Sequence, residues 1–202
     1  MITITLQQIE AHNPCVSGWT KVLRANGGAN ADRAQPFALA SVLDSNDLAD
    51  TLWCLRCLPE YDAVWRLYAV WCARQVQRLM ADQRSIRALN VATDYALGQA
   101  TRTELAAAVD AAYAARTDAA RTDAAYAAAD AADAADAYAA DAADATAAYA
   151  AAAAAYAAAD ADAADATRTA ADADARKKQA DMIRRVLNAD APLDEIKAAL
   201  NV

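Results

Sequence analysis

From Gln99 to Ala191 the chain contains neither glycine nor proline, and residues 111–176 hold 40 alanines among 66 positions. Few backbones other than helix suit such a segment. Alanine has no rotamer freedom to lose on entering a helix, and the two residues that most strongly interrupt helices are missing. A single helix over Arg102–Asn188 would be about 130 Å long at 1.5 Å per residue and would leave most of its alanines in water. Small side chains let helices approach closely, and Thr and Asp can cap new starts without help from Gly or Pro. Folded-back helices are therefore favoured over one long helix. The candidate breaks are Arg116-Thr117-Asp118, Arg121-Thr122-Asp123, Asp144–Thr146 and Asp165–Thr169.

The rest of the chain is punctuated in the ordinary way. Thr5 with Gln8 forms a capping-box pattern that opens a short helix through about His12, and Pro14 interrupts it. A second helix fits Cys15–Ala25 and is stopped by Asn26-Gly27-Gly28. A polar loop follows, and Pro36 opens an apolar turn over Phe37–Leu43. Ser45 or Asn46 can cap a helix over Leu48–Leu58, and Pro59 begins the next. There Val64, Leu67, Tyr68, Trp71, Cys72, Val76, Leu79 and Met80 recur at three- and four-residue spacing, an amphipathic pattern. Asp82 can cap a further helix with Ile86, Leu89 and Ala96 inward and Gly98 as its stop. Thr101 with Glu104 is a second capping box, and Pro192 opens a last helix over Leu193–Leu200. The fold class is all-α: a helical core domain over 1–98, an alanine/aspartate-rich helical region over 99–191, and a short C-terminal helix over 192–202. All four tryptophans and most large aliphatic residues lie before residue 98, which places the core there. Hydrophobic residues make up 57% of the chain, but a buried alanine contributes little more than one methyl group.

Charge is segregated. Residues 1–98 carry nine acids and nine bases, residues 99–176 fourteen acids and five arginines, and residues 177–202 four acids and five bases, within a chain of net charge −8. The excess of negative charge thus belongs to the alanine-rich segment. Such a field repels nucleic acid and membrane surfaces and attracts basic partners. The N-terminus lacks a basic start followed by an apolar run, so no signal peptide is expected. The longest nearly charge-free stretch, 145–159, is too short and too alanine-rich to span a bilayer. These features point to a cytoplasmic protein whose four cysteines are reduced.

At about 100° per residue, Asp118, Asp123, Asp130, Asp133, Asp136, Asp141 and Asp144 share one helix face about 140° wide. Tyr113, Tyr138, Tyr149 and Tyr156 cluster on another, which Leu105 and Val109 lead into; Tyr126 departs from it. Asp160, Asp162, Asp165, Asp172 and Asp174 extend the acidic series. Seven aspartates over 27 residues amount to about one charge per 6 Å of helix, against about 3.4 Å for one DNA strand and 1.7 Å for the duplex. One helix is too dilute to imitate phosphates, but two side by side nearly match a strand. No lysine occurs from 88 to 176, whereas a helix that needs only solubility usually mixes Glu and Lys at four-residue spacing. The plainer alternative is that these carboxylates only keep an alanine helix in solution. Irregular threonine spacing argues against ice binding, and tyrosine spacings of 25, 11 and 7 do not sustain a heptad.

Catalytic chemistry is absent. Cys54-Leu55-Arg56-Cys57 is the only CxxC, no second one stands at finger-like spacing, and Cys15, Cys72 and His12 are the remaining ligand candidates. Buried thiols are the commoner state of such cysteines, so no metal or other cofactor is expected. His12 reads as a helix-end surface residue. Gly27-Gly28 is an isolated turn rather than a phosphate loop, and one histidine beside a proline offers no nucleophile–base pair.

Residues 62–130 resemble a family of alanine-rich bacterial and phage proteins labelled immunity proteins. The resemblance rests on Arg66, Ala69, Trp71, Cys72 and Ala73, then Asp82, Arg84, Ser85 and Ala88, then Gly98, Thr101, Glu104 and Leu105, running into the alanine tract. The opening Pro14-Cys15-x-x-Gly18-Trp19 is similar to such phage proteins. The resemblance implies a helical inhibitor or immunity factor without a cofactor. Phage relatives often carry Arg where this chain has Asp, which points to a basic target. The function expected is a phage- or prophage-type inhibitor whose acidic helical face mimics nucleic-acid phosphates. It would bind a basic protein or a nucleic-acid-binding complex, such as a host defence complex or nuclease, without binding nucleic acid or membrane itself. An immunity protein that neutralises a cognate toxin, and a structural helical spacer, are the alternatives.

Overall fold

The computed structural model describes residues 1–80, 82–118 and 165–202, with side chains apart from those of 116–118 and 165–172. These residues form an all-α protein with one two-stranded ladder. The elements are β1 (Thr3–Ile4), α1 (Leu6–Ala11), α2 (Val16–Ala25), β2 (Phe37–Ala38), α3 (Val42–Ser45), α4 (Leu48–Cys54), α5 (Asp62–Arg74), α6 (Gln83–Ala96), α7 (Arg102–Asp118), α8 (Asp165–Asn188) and α9 (Pro192–Leu200), with single 3-10 turns between several of them.

Local chemistry sets most of the boundaries. The Thr5 hydroxyl accepts from the Gln8 backbone N–H at 3.1 Å while the Thr5 N–H donates to Gln8 Oε1 at 2.9 Å, so the first capping box closes as expected. The second closes likewise, with Thr101 N–H donating to Glu104 Oε2 at 2.8 Å. The Asp82 carboxylate accepts from Arg84 N–H at the start of α6, and Gly98, at φ +72°, turns the chain out of its end. That left-handed conformation suits a residue without Cβ. Other boundaries differ from expectation. Asp47, rather than Ser45 or Asn46, caps α4, accepting from Asp50 N–H at 2.8 Å. The helix expected over Leu48–Leu58 ends at Cys54 and tightens into a 3-10 turn at Leu55–Cys57. The apolar turn after Pro36 is partly strand: Phe37 and Ala38 pair antiparallel with Ile4 and Thr3.

The helix that reads as amphipathic is buried almost all round. In α5, Val64, Trp65 and every residue from Leu67 to Ala73 are buried, as befits a helix wrapped by others. It ends at Arg74, so Val76, Leu79 and Met80 belong to the following turn rather than to its face. Helices α6 and α9 pack on it, and α7 packs on α6 through Ala88, Ala108, Val109 and Ala112. Alanine against alanine allows this close approach. Leu105, Val109 and the half-buried Tyr113 lie inward, so the tyrosine face turns to the protein where it begins.

The core is not confined to the residues before 98. Leu105, Met182, Ile183, Val186, Leu187, Ile196 and Leu200 share one buried cluster with Ile2, Leu39, Leu67 and Tyr68. The late part of α8 carries few large apolar residues, but they fall on one face and all go inward. The Tyr68 hydroxyl donates to the Gln179 carbonyl at 3.1 Å, and the Arg184 guanidinium grips the Asp44 carboxylate at 2.7 and 3.2 Å. Ile2 N–H donates to the Leu187 carbonyl at 2.7 Å. One straight helix would hold Leu105 and Ile183 about 117 Å apart, yet both lie in this cluster. Helices α7 and α8 are therefore flanks of one core and not two stretches of a rod. Of the candidate breaks, Arg116-Thr117-Asp118 lies within α7 and Asp165–Thr169 within α8. Those at 121–123 and 144–146 lie outside the described residues.

Candidate functional site

Most of the acidic face lies outside the described residues: Asp123, Asp130, Asp133, Asp136, Asp141, Asp144, Asp160 and Asp162. Asp118 is the last residue of α7, and Asp165 and Asp172 lie in α8. Among the twelve aspartates of the expected face, only Asp174 has its side chain described. It is exposed, and the Lys178 ammonium lies 2.7 Å from its carboxylate. One turn on, Lys177 and Asp181 pair at 2.6 Å. By residue 174 the single-sign field has given way to alternating charges, consistent with the balanced composition of the tail.

The two helices that flank the acidic segment are packed into the protein at their far ends. Leu105, Ala112 and Ala115 bury the inner face of α7, and Gln179, Met182, Ile183, Val186 and Leu187 that of α8. Asp44 is held below the usual carboxylate range by its hydrogen bond to Arg184, so this clamp on α8 is charged on both sides at neutral pH.

The cysteines divide into two groups. Cys54, Cys57 and Cys72 are buried, and Cys15 is exposed at the N-cap of α2. Burial pushes the Cys72 thiol up to about 12. Cys15 is lowered instead, first by hydrogen bonding with the Ser17 hydroxyl and then by the Gly18 N–H, which donates to its sulfur at 3.3 Å. A depressed pKa places the thiolate at lower pH, and the thiolate is the reactive form. We expect a disulfide reagent to modify one thiol per native chain. Its reaction midpoint should lie below that of an ordinary cysteine, and Cys15→Ser should abolish it. The other three should react only on unfolding; a second fast thiol in the native protein would contradict this assignment. Among the described residues no three His, Cys, Asp or Glu side chains converge as metal ligands would. His12 ends α1, its Nδ1 donating to the Gln8 carbonyl at 3.0 Å.

Sequence reasoning did not find a small cleft of about 80 Å³ between the start of α2, the end of α3 and α4. Trp19, Val22 and Trp53 form much of its wall, with Cys15, Asn46 and Asp50 at the polar side. The Asn46 amide donates to Asp50 Oδ2 at 2.8 Å and to the Gly18 carbonyl at 2.9 Å, tying α4 to α2. Gly18 eases this approach: a Cβ there would sit 3.2 Å from both Asp50 carboxylate oxygens and from the Cys15 sulfur, a tight contact to which those side chains would have to yield. Pro14-Cys15-x-x-Gly18-Trp19 was the available signal, but its partners come from residues 28–35 positions away.

No protein-family model, curated protein or solved structure matches the chain. Among the described residues no helix is long and apolar enough to cross a membrane.

Proposed function

We propose that the protein is a non-catalytic inhibitor of the phage or prophage type, whose alanine/aspartate-rich segment offers carboxylates in place of nucleic-acid phosphates to a basic groove. The observation that carries this reading is the segregation of charge: fourteen acids against five arginines over 99–176, without a lysine, in a chain otherwise close to neutral. Near the two ends of that segment, Leu105 of α7 and Ile183 of α8 are buried in one core. The partner is a nucleic-acid-handling protein complex or nuclease in the same cytoplasm, and no cofactor takes part.

An immunity protein that caps one cognate toxin is the second reading, favoured by the resemblance over residues 62–130. Competition separates the two. Tagged protein is used to capture partners from bacterial extract, and duplex DNA is then titrated into the recovered complex. A phosphate mimic should be displaced by generic duplex, and its affinity should fall steeply between low and physiological salt. A partner that holds duplex and this protein together without mutual weakening would rule out mimicry and leave the toxin-capping reading.

A further inference from the structure

We propose that Cys15 and Cys54 are a peroxide-responsive thiol pair that joins in a reversible disulfide across the cleft between α2 and α4. Both residues line that cleft, and the pairing is independent of the acidic segment. Contacts between the two helices run in opposite directions along the chain. The Lys21 ammonium lies 3.8 Å from the Asp47 carboxylate. Three residues back on α2 and three further along α4, a Cβ at Gly18 would meet the Asp50 carboxylate at 3.2 Å. A further three each way bring Cys15 across from Trp53, with Cys54 beside it. The Cys15 sulfur is folded back over the start of α2, where the Gly18 N–H donates to it at 3.3 Å, and it lies against the same Gly18 Cβ position that Asp50 approaches. At about 80 Å³ the cleft is narrow. It has room for hydrogen peroxide, a molecule little larger than water, and it leaves a short gap for two sulfurs to close.

Cys15 is the residue that meets the oxidant. It is exposed, whereas Cys54 is 4% exposed and meets no bulk reagent directly. Hydrogen bonding with Ser17 and from the Gly18 N–H holds the Cys15 thiol below its ordinary range, which favours the thiolate that attacks peroxide. The Cys15 sulfur takes one peroxide oxygen and the O–O bond breaks. The sulfur is oxidised by two electrons to a sulfenic acid, and the departing hydroxide takes a proton from solvent and leaves as water. The Cys54 sulfur then attacks the Cys15 sulfur. The S–O bond breaks, the S–S bond forms, and the second hydroxide leaves as water with the Cys54 proton. Two thiols and one peroxide thus give one disulfide and two waters. The bridge ties the start of α2 to the end of α4, and a dithiol reductant reverses it.

The test treats the native protein with millimolar hydrogen peroxide, alkylates the remaining thiols after unfolding, and maps peptides without reductant. The map should show Cys15 joined to Cys54, with Cys57 and Cys72 alkylated, and dithiothreitol should restore both thiols. Cys15→Ser should lose the disulfide altogether and keep Cys54 as a thiol. In Cys54→Ala the same treatment should stop at a sulfenic acid on Cys15, which dimedone captures. Left longer, it should pass to a sulfinic acid that dithiothreitol does not reverse. The map of the native protein decides the proposal even if Cys54→Ala fails to fold. Cys54 joined to Cys57, Cys15 joined to Cys15 of a second chain, or Cys15 oxidised while Cys54 remains a thiol would overturn it.

Discussion

Ile183→Ala should destabilise the whole protein by about 3 kcal/mol and lower its melting temperature by about 10 °C. A fully buried isoleucine truncated to alanine loses its transfer energy and leaves a cavity, together about 2–5 kcal/mol, and each kcal/mol moves a domain of this size by about 2–4 °C. Ile183 is fully buried in a cluster that also contains Leu67 and Tyr68 of α5. The cost should therefore appear in one cooperative transition, not in a separate early melting of the C-terminal helices. Leu193→Ala is the control: that side chain is 37% exposed, and its loss should cost under ~1 kcal/mol. Thermal unfolding by circular dichroism reads both. An Ile183→Ala protein that melts like the native one would mean that α8 is not part of the core.

How far the fold could be read depended on how local its determinants are. The two capping boxes, the Asp82 cap and the Gly98 stop each involve residues within a few positions of one another, so spacing alone reveals them. The β1–β2 ladder has two residues on each strand, too few for any alternation to show, and its pairing joins residues more than 30 positions apart. In α5 the three- and four-residue repeat of large residues was real, but Ala69, Val70 and Ala73 between them are buried as well, and only the arrangement of the neighbours decides that. The contribution of α8 to the core was obscured because Met182, Ile183, Val186 and Leu187 are interleaved with Arg184 and Arg185, which reads as a polar helix end. In the structure those arginines lie toward Asp44 and Glu195 at the rim of the same interface.

The candidate sites divide along the same line. A face of aspartates is visible wherever a helical period can be laid on the sequence, because it needs only one element. The small cleft beside Gly18 needs α2, α3 and α4 at once. Asn46 reads in the sequence only as a possible helix cap, and its bonds to Asp50 and to the Gly18 carbonyl appear only once α2 and α4 are side by side.

Changing Asp130, Asp133, Asp136, Asp141 and Asp144 together to Asn should weaken binding to the captured partner at least about 100-fold. Each exposed charge facing a basic groove contributes ~1 kcal/mol or less, so single changes should be nearly silent, while five together amount to a few kcal/mol, and 1.4 kcal/mol is tenfold. Helix content should hardly change, because Asn and Asp have similar helix propensities and these positions share the face expected to meet solvent. Stability should hold or rise slightly, since five like charges on one face repel one another. The salt dependence supplies the second readout. With fewer carboxylates in the interface, the logarithmic slope of affinity against salt should become shallower in the variant, which loss of folding or of shape would not produce. A fivefold Asn protein that binds at full strength and with the native salt slope would show that the carboxylates serve only to keep the alanine helices in solution, as the plainer reading of the sequence has it.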